Sequence, residues 1–382
     1  MPAETNDKLS ELDTPCLLLD RDRMASNISK LKEKLRGLGV VLRPHMKTAK
    51  SQEVAKVLLE GTNGSITVST LKEAEEFANA GITDMIYAVG ISPQKLPRIN
   101  RLRSSGVDLK IILDSKEQAS ALAKYVSETG DAIPALIELD ADGNRSGVKP
   151  HDKETLLTIA ETLRDGRARL EGVLTHAGAS YDVEDEAAII AAAEQERKAV
   201  VDAATTLREA GFECPIVSVG STPTAHYAQD LTGVTEVRAG VFVFFDLVMA
   251  GLGVCTTDDI AISVLTTVIG HQKEKGWVIV DAGWTAMSRD RGTARQKVDQ
   301  GYGLVCDSGG NVIDDLIMVS ANQEHGIIAL RGEVKDLSGD FPVGTMLRIL
   351  PNHACATAAQ HQEYHVIENG RYTVVWPRFN GW

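Results

Sequence analysis

Eight short runs of apolar, β-branched residues recur before residue 260, each followed by a stretch with helical spacing, and this rhythm restricts the available folds more than any single motif. The runs are Val40–Leu42, Ser65–Val68, Met85–Val89, Leu109–Leu113, Ala135–Leu139, Leu170–Leu174, Ile216–Val219 and Val234–Phe244. Between them Met24, Ile28, Leu31 and Leu35 repeat at helical intervals, as do Val54, Val57 and Leu58, and an alanine-rich stretch runs from Glu184 to Ala210. Such spacing lines one helix face, whereas short β-branched runs form strands. Eight strand–helix alternations are what a (β/α)8 TIM barrel requires, here over residues 22–260, with an open doubly wound sheet as the main rival.

Beyond residue 260 the texture changes. Ile262–Ile269, Trp277–Val280, Leu304–Cys306, Ile327–Leu330, Met346–Leu350, Tyr364–Ile367 and Tyr372–Trp376 read as strands joined by Gly, Asp and Asn turns, with few helical stretches between them. They predict a separate antiparallel β domain over residues 261–382, with the N-terminal segment 1–21 packing beside it. A chain of 382 residues suits a barrel plus a smaller domain.

Composition excludes several partners. The formal charge of −13 disfavours a phosphate backbone, and the basic stretch from Lys32 to Arg36 reads as a solvated helix face, so no nucleic-acid partner is expected. With 43% hydrophobic and 24% charged residues and no apolar run of spanning length, no membrane partner is expected either. The polar, acidic N-terminus lacks the pattern of a signal peptide, which predicts a cytoplasmic protein with free thiols. The five cysteines form no C-x-x-C pair, which argues against a disulfide framework or a four-thiolate zinc site.

In a barrel the reactive residues lie at the C-terminal ends of the strands. Strand one runs into Arg43-Pro44-His45-Met46-Lys47-Thr48, strand five into Asp140 to Gly147 with Arg145, and strand six into Thr175-His176-Ala177-Gly178. Strand seven runs into Gly220-Ser221-Thr222, and strand eight contains Arg238-Ala239-Gly240. An amine at Lys47 beside cationic Arg43 would have its pKa lowered, favouring a Schiff base with a carbonyl cofactor. His45 reads equally well as a packed core imidazole. Gly220-Ser221-Thr222 offers backbone N–H groups and hydroxyls for a phosphate monoester, and with Gly240 it lies where barrels bind phosphate; alone it could be an ordinary turn.

In the β domain, Pro351-Asn352-His353-Ala354-Cys355-Ala356-Thr357 follows a strand, and strand alternation would put His353 and Cys355 on one face. An imidazole and a thiolate so placed could share a borderline-soft cation with open coordination positions; the alternative is a buried cysteine near an unrelated histidine. His361 and His365 have exposed-loop explanations. Asn322 to Gly326 is either a turn or a second part of a site.

Arg-Pro-His-Met-Lys-Thr at 43–48, Asp-Gly-Asn-Arg-Ser-Gly-Val at 142–148 and Pro-Asn-His-Ala-Cys-Ala-Thr at 351–357 carry a resemblance, joined by Asp13-Thr14-Pro15, Ser218 to Thr224 and Asp281-Ala282-Gly283-Trp284. The chain resembles, over essentially its whole length, the fold-type III pyridoxal-phosphate enzymes related to alanine racemase. The branch is that of D-threo-3-hydroxyaspartate dehydratase, eukaryotic-type D-serine dehydratase and D-threonine aldolase, and the likeness is closest to the first of these.

The resemblance implies that Lys47 carries pyridoxal 5′-phosphate covalently and that Arg145 hydrogen-bonds the phenolic oxygen. It places His176 at the cofactor and Gly220, Ser221, Thr222, Gly240 and Val241 around the phosphate. Arg238 stands where an arginine meets the pyridine nitrogen in alanine racemase, a position that varies among branches. The resemblance further implies that His353 and Cys355 hold a divalent metal (zinc, manganese, cobalt or magnesium) and that the enzyme is a homodimer.

The implied reaction is loss of water from a D-β-hydroxy amino acid, with Lys47 as base and the metal as Lewis acid on the β-hydroxyl, giving ammonia and a 2-oxo acid. The nearest rival is retro-aldol cleavage to glycine and an aldehyde. Aldolase members carry aspartate at the place of Cys355, which favours elimination. Racemisation needs no metal, and a non-catalytic carrier of the cofactor would lack the β domain.

Overall fold

The structure is a computed structural model describing residues 8–183 and 185–382. Residues 1–7 of the N-terminal segment, and Glu184 at the start of the alanine-rich stretch, lie outside the described residues. The described chain forms two compact units: Ser29–Gly240 with Phe379–Trp382, and the residues up to Ile28 with Val241–Arg378. No helix among the described residues is long and apolar enough to cross a membrane.

Strand β1, Cys16–Asp20, belongs to the second unit. The first unit contains β2 (Val41–Leu42), β3 (Ile66–Val68), β4 (Asp84–Gly90), β5 (Asp108–Leu113), β6 (Pro134–Leu139), β7 (Arg169–Thr175), β8 (Ile216–Val219) and β9 (Glu236–Val237). They form one parallel sheet in the order β2-β9-β8-β7-β6-β5-β4-β3, and a further parallel bridge between His45 and Thr67 joins its two ends. The doubly wound alternative is thereby excluded, because an open sheet has free edges.

Alternation along these strands sends Ile86, Ile112, Leu136 and Leu174 inward, where they pack together with Ala88 and Ile216 as an apolar plug. Toward the N-terminal ends of the strands the interior becomes ionic. Arg43 meets Glu236 at 2.7 Å and Asp84 at 3.0 Å, and Lys110 meets Asp84 at 3.0 Å and Asp108 at 2.6 Å. These contacts correct one expectation: Arg43 is spent on carboxylates at the bottom of the barrel, so it does not serve as the cationic neighbour of Lys47.

The eighth apolar run is also shorter as a strand than its composition predicted. Only Glu236–Val237 pairs, and Val241–Val243 turns as a 3-10 helix. Phe242 and Phe244 are fully buried, and Phe245 takes a left-handed φ of 51°, so the run is apolar from packing rather than from pairing. From there the backbone bonds lie within the second unit: Leu247 N–H donates to Pro351 O at 3.0 Å and Ala261 N–H to Phe244 O at 2.7 Å. The units therefore divide at Val241 rather than at residue 261.

The second unit holds β10 (Ile262–Gln272), β11 (Trp277–Val280), β12 (Leu304–Cys306), β13 (Val312–Ala321), β14 (Gly326–Leu330), β15 (Met346–Leu350), β16 (Glu363–Glu368) and β17 (Arg371–Pro377). With β1 they form a nine-stranded sheet, β11-β14-β13-β12-β15-β10-β1-β16-β17, curled so that β11 also pairs with β10. All pairs are antiparallel except β1 with β16. Leu9, Cys16 and Leu18 from the chain start pack on Leu265 and Ile367. Asp281 accepts from Thr14 at 2.6 Å and Thr266 at 2.7 Å, which explains why the Asp-Thr-Pro and Asp-Ala-Gly-Trp segments matter together.

Candidate active site

Lys47 owes its position to a ladder that continues past β2. Arg43 N–H bonds Val237 O at 2.9 Å, His45 N–H bonds Ala239 O at 2.8 Å and Met46 N–H bonds Thr67 O at 2.8 Å, before the chain turns. Met46 and Thr48 are fully buried, which leaves Lys47 exposed between two anchored neighbours at the C-terminal end of the first barrel strand. Its ammonium forms no hydrogen bond or salt bridge with a described residue. Burial first, then the charges of Lys47 and Arg238, drive His45 well below the usual imidazole value, so it is neutral.

The loop after β6 is folded by carboxylates. Asp140 accepts from Gly143 N–H at 3.0 Å, Asp114 from Gly147 N–H at 2.8 Å, and Asp142 from Ala179 N–H at 2.7 Å. The loop presents Arg145 exposed and without a hydrogen bond to another described residue. Its guanidinium lies 3.2 Å from where a Cβ on Gly178 would stand. After β7, His176 donates from Nδ1 to Gly220 O at 2.6 Å, which leaves Nε2 unprotonated. Burial, followed by the charges of Lys47 and Arg145, pushes its pKa down to about 3.

Of the backbone N–H groups that Gly220-Ser221-Thr222 is expected to offer a phosphate, those of Gly220 and Ser221 are bonded within the protein, the latter to Thr224 Oγ1 at 3.2 Å. Gly220 has φ of 150°, and a Cβ there would stand 1.7 Å from Arg238 O, so glycine is required by the neighbouring strand. Its N–H donates to Glu196 at 2.9 Å. Ser221 caps the helix Thr222–Tyr227, and its hydroxyl meets Ser180 Oγ at 2.9 Å. Arg238 is buried, donating to Ser218 Oγ and Thr175 O at 2.5 Å each, and Gly240 lies against His45 O and Thr48 Oγ1. Val241 follows as the first residue of the second unit.

Lys47 and Arg145 thus present two unengaged cations beside two neutral imidazoles, with Arg238 buried below them. An unengaged amine, an unengaged guanidinium and a serine–threonine turn suit an anionic carbonyl cofactor such as pyridoxal phosphate. Sequence reasoning missed Glu196. The signal was present, because Ile189, Ala193, Glu196, Val200 and Leu207 are all buried on the helix Glu186–Glu209 and only one of them is charged.

In the second unit, His353 and Cys355 are brought together, although not by strand alternation. Ala354–Ala358 is a short helix with His353 as its N-cap, started where Asp246 accepts from Ala354 N–H at 2.9 Å. Buried Asn352 holds the turn by donating to Gly301 O at 2.8 Å and accepting from Thr293 at 3.0 Å. His353 Nδ1 lies 2.7 Å from Asp290 Oδ2. Burial alone would lower the His353 pKa, but hydrogen bonds with Asp290 and Cys355 overrule it and push it up to about 11.

This donor set fits a divalent metal: Asp290 holds the Nδ1 proton of His353, so a metal taking the place of the Nε2 proton would meet that nitrogen beside a half-buried thiol. Among the described residues no group of three or more His, Cys, Asp or Glu is arranged to hold a metal, so His353 and Cys355 would leave most positions open. His361 bonds Ala286 O at 3.0 Å and His365 sits on β16 beside Tyr372, so both have structural partners. Asn322 to His325 form the hairpin turn between β13 and β14.

A closed parallel barrel with an unpaired lysine ending its first strand, continued into an antiparallel sheet, is the architecture of an alanine racemase-type enzyme. The model of the alanine racemase N-terminal domain matches residues 19–248, and that of a putative serine dehydratase domain matches residues 261–367. A D-threo-3-hydroxyaspartate dehydratase of Delftia sp. is 54% identical over 98% of this chain and 100% of its own. A D-serine dehydratase of Dictyostelium discoideum is 30% identical over 96% of each chain. A solved D-threo-3-hydroxyaspartate dehydratase, a cysteine-to-alanine mutant in the metal-free form, superposes with a TM-score of 0.96 at 55% identity, covering 98% of this chain and 99% of that one. The chain belongs to the alanine racemase-like family, in the group whose members are dehydratases and aldolases.

Proposed function

We propose that this chain is a pyridoxal 5′-phosphate-dependent lyase that removes water from D-threo-3-hydroxyaspartate, or from D-serine, and releases ammonia and a 2-oxo acid. The observation that carries the reading is the unpaired Lys47 ammonium at the mouth of a barrel whose chain is 54% identical to a dehydratase of that substrate. Bound to Lys47, the cofactor supplies an electron sink for the pair left when the Cα–H bond breaks. Lys47 Nζ, set free when the substrate amine takes its place on the cofactor, would accept that α-proton as the bond breaks. Arg145, which no other described residue engages, orients the cofactor's phenolic oxygen. His176 offers an uncharged ring to the site, because its proton stays on Nδ1 against Gly220 O.

Gly220, Ser221, Thr222, Gly240 and Val241 surround the phosphate in this reading, and Arg238 keeps its charge inside the barrel. A divalent metal held by His353 and Cys355 would supply a Lewis acid for the β-hydroxyl, since hydroxide is otherwise a poor leaving group. The Asp290 contact and the metal-free form of the cysteine-mutant relative support that assignment. The enamine released from the substrate hydrolyses to oxaloacetate from 3-hydroxyaspartate or pyruvate from serine. The reading keeps a small-molecule substrate, a homodimer and a cytoplasmic location.

Assaying D-threo-3-hydroxyaspartate, D-serine and D-threonine side by side, with and without a chelator, tests it. Ammonia and a 2-oxo acid are expected, with the rate falling on chelation. Predominant release of glycine and an aldehyde would instead establish the aldolase reading.

A further inference from the structure

We infer that Glu196 is a positioning residue that clamps the phosphate turn to the loop carrying His176, and thereby sets the affinity for the cofactor's phosphate. The inference rests on reading Gly220–Thr222 as the phosphate seat. Glu196 Oε1 accepts the N–H of Ala177 at 3.0 Å and the N–H of Gly220 at 2.9 Å, while Oε2 accepts the hydroxyl of Thr224 at 2.8 Å. One carboxylate therefore holds the residue after His176, the first residue of the turn, and the helix turn that Ser221 caps.

Two further links join the same segments: His176 Nδ1 to Gly220 O at 2.6 Å, and Ser180 Oγ to Ser221 Oγ at 2.9 Å. These pull the loop and the turn together, and Glu196 fixes both from the outer helix. Its own site argues against filler. Glu196 is 1% exposed on a helix face otherwise made of Ile189, Ala193, Val200 and Leu207, where an apolar side chain would pack without desolvating a charge. A buried carboxylate is tolerated there because its oxygens are satisfied by the two loops it joins, and removing it strands two buried N–H donors.

The experiment uses the full chain stripped of cofactor and titrated with pyridoxal 5′-phosphate and with pyridoxal, which lacks the phosphate. Glu196→Ala should lower affinity for the phosphorylated ligand about tenfold while leaving pyridoxal within about twofold. Glu196→Gln retains an oxygen for both N–H groups and should recover most of the loss. Thr224→Val removes the Glu196 Oε2 link together with the bonds of Thr224 Oγ1 to the Ser221 N–H and hydroxyl, and should shift the same ratio in the same direction; with Glu196→Gln it decides the matter if Glu196→Ala fails to fold. Equal losses for the two ligands, or no loss of the phosphorylated one, would overturn the inference. A wild-type chain that binds both ligands equally would instead overturn the phosphate seat itself.

Discussion

His353 donates its Nδ1 proton to Asp290 Oδ2 across 2.7 Å, which leaves Nε2 as the ring nitrogen that a metal would take in place of its proton. A carboxylate in this place typically controls metal affinity without touching the metal. Asp290→Ala should weaken binding of a divalent cation by roughly 10–100-fold, read by calorimetric titration of zinc or manganese into both proteins. Undiminished affinity in the variant would remove Asp290 from the metal site.

Lys47→Ala should abolish turnover and the visible absorbance of the lysine-bound cofactor together. Because the Lys47 side chain is exposed and its ammonium forms no hydrogen bond or salt bridge with a described residue, its loss should leave thermal stability of the cofactor-free protein within about 0.5 kcal/mol of the parent. Retained activity would sink the assignment of Lys47.

The parts of this architecture that follow from local chemistry were legible in the sequence. Buried strands such as Ala135–Leu139 and Leu170–Leu174 announce themselves by composition, and the segments that follow them contain Arg145 and His176. Val234–Phe244 misled because apolar residues in a buried turn look like a strand. The strand Val312–Ala321 escaped because Asp314 and Asp315 interrupt its apolar pattern, with Asp315 at φ 57°. The helix Ala354–Ala358 was read as extended, since its start depends on Asp246, far away in the chain. Asp290 could not be found at all: its partner lies 63 residues further on, and nothing local marks it.

Gly220→Ala should be among the most damaging single substitutions. The added Cβ would stand 1.7 Å from Arg238 O, on a backbone at φ 150°. Neither strand can yield, because Arg238 N–H is bonded to Val219 O at 2.6 Å. We expect a loss of roughly 3 kcal/mol or more in urea denaturation, together with loss of cofactor. A variant within about 1 kcal/mol of the parent would show that the two strands part readily.

Two groups at the barrel mouth should give stability opposite dependences on pH. His176 is held down to about 3 against an ordinary value of 6.5, by burial first and then by Lys47 and Arg145. The fold therefore favours neutral His176: that contribution is complete above pH 6.5 and is lost as pH falls toward 3. Glu138 is pushed up to about 7 from 4.5, by burial first and then by Asp114. Here the fold favours the protonated carboxyl, so stability is greatest below pH 4.5 and declines as pH rises through 7. In cofactor-free protein, Glu138→Gln should exceed the parent by about 2 kcal/mol at pH 8, allowing for partial exposure, and the margin should vanish near pH 4.5. His176→Gln should lose less stability than the parent on acidification below pH 6.5. Urea midpoints across this range decide both: a pH-independent margin for Glu138→Gln would mean that its carboxyl titrates alike in the folded and unfolded chains.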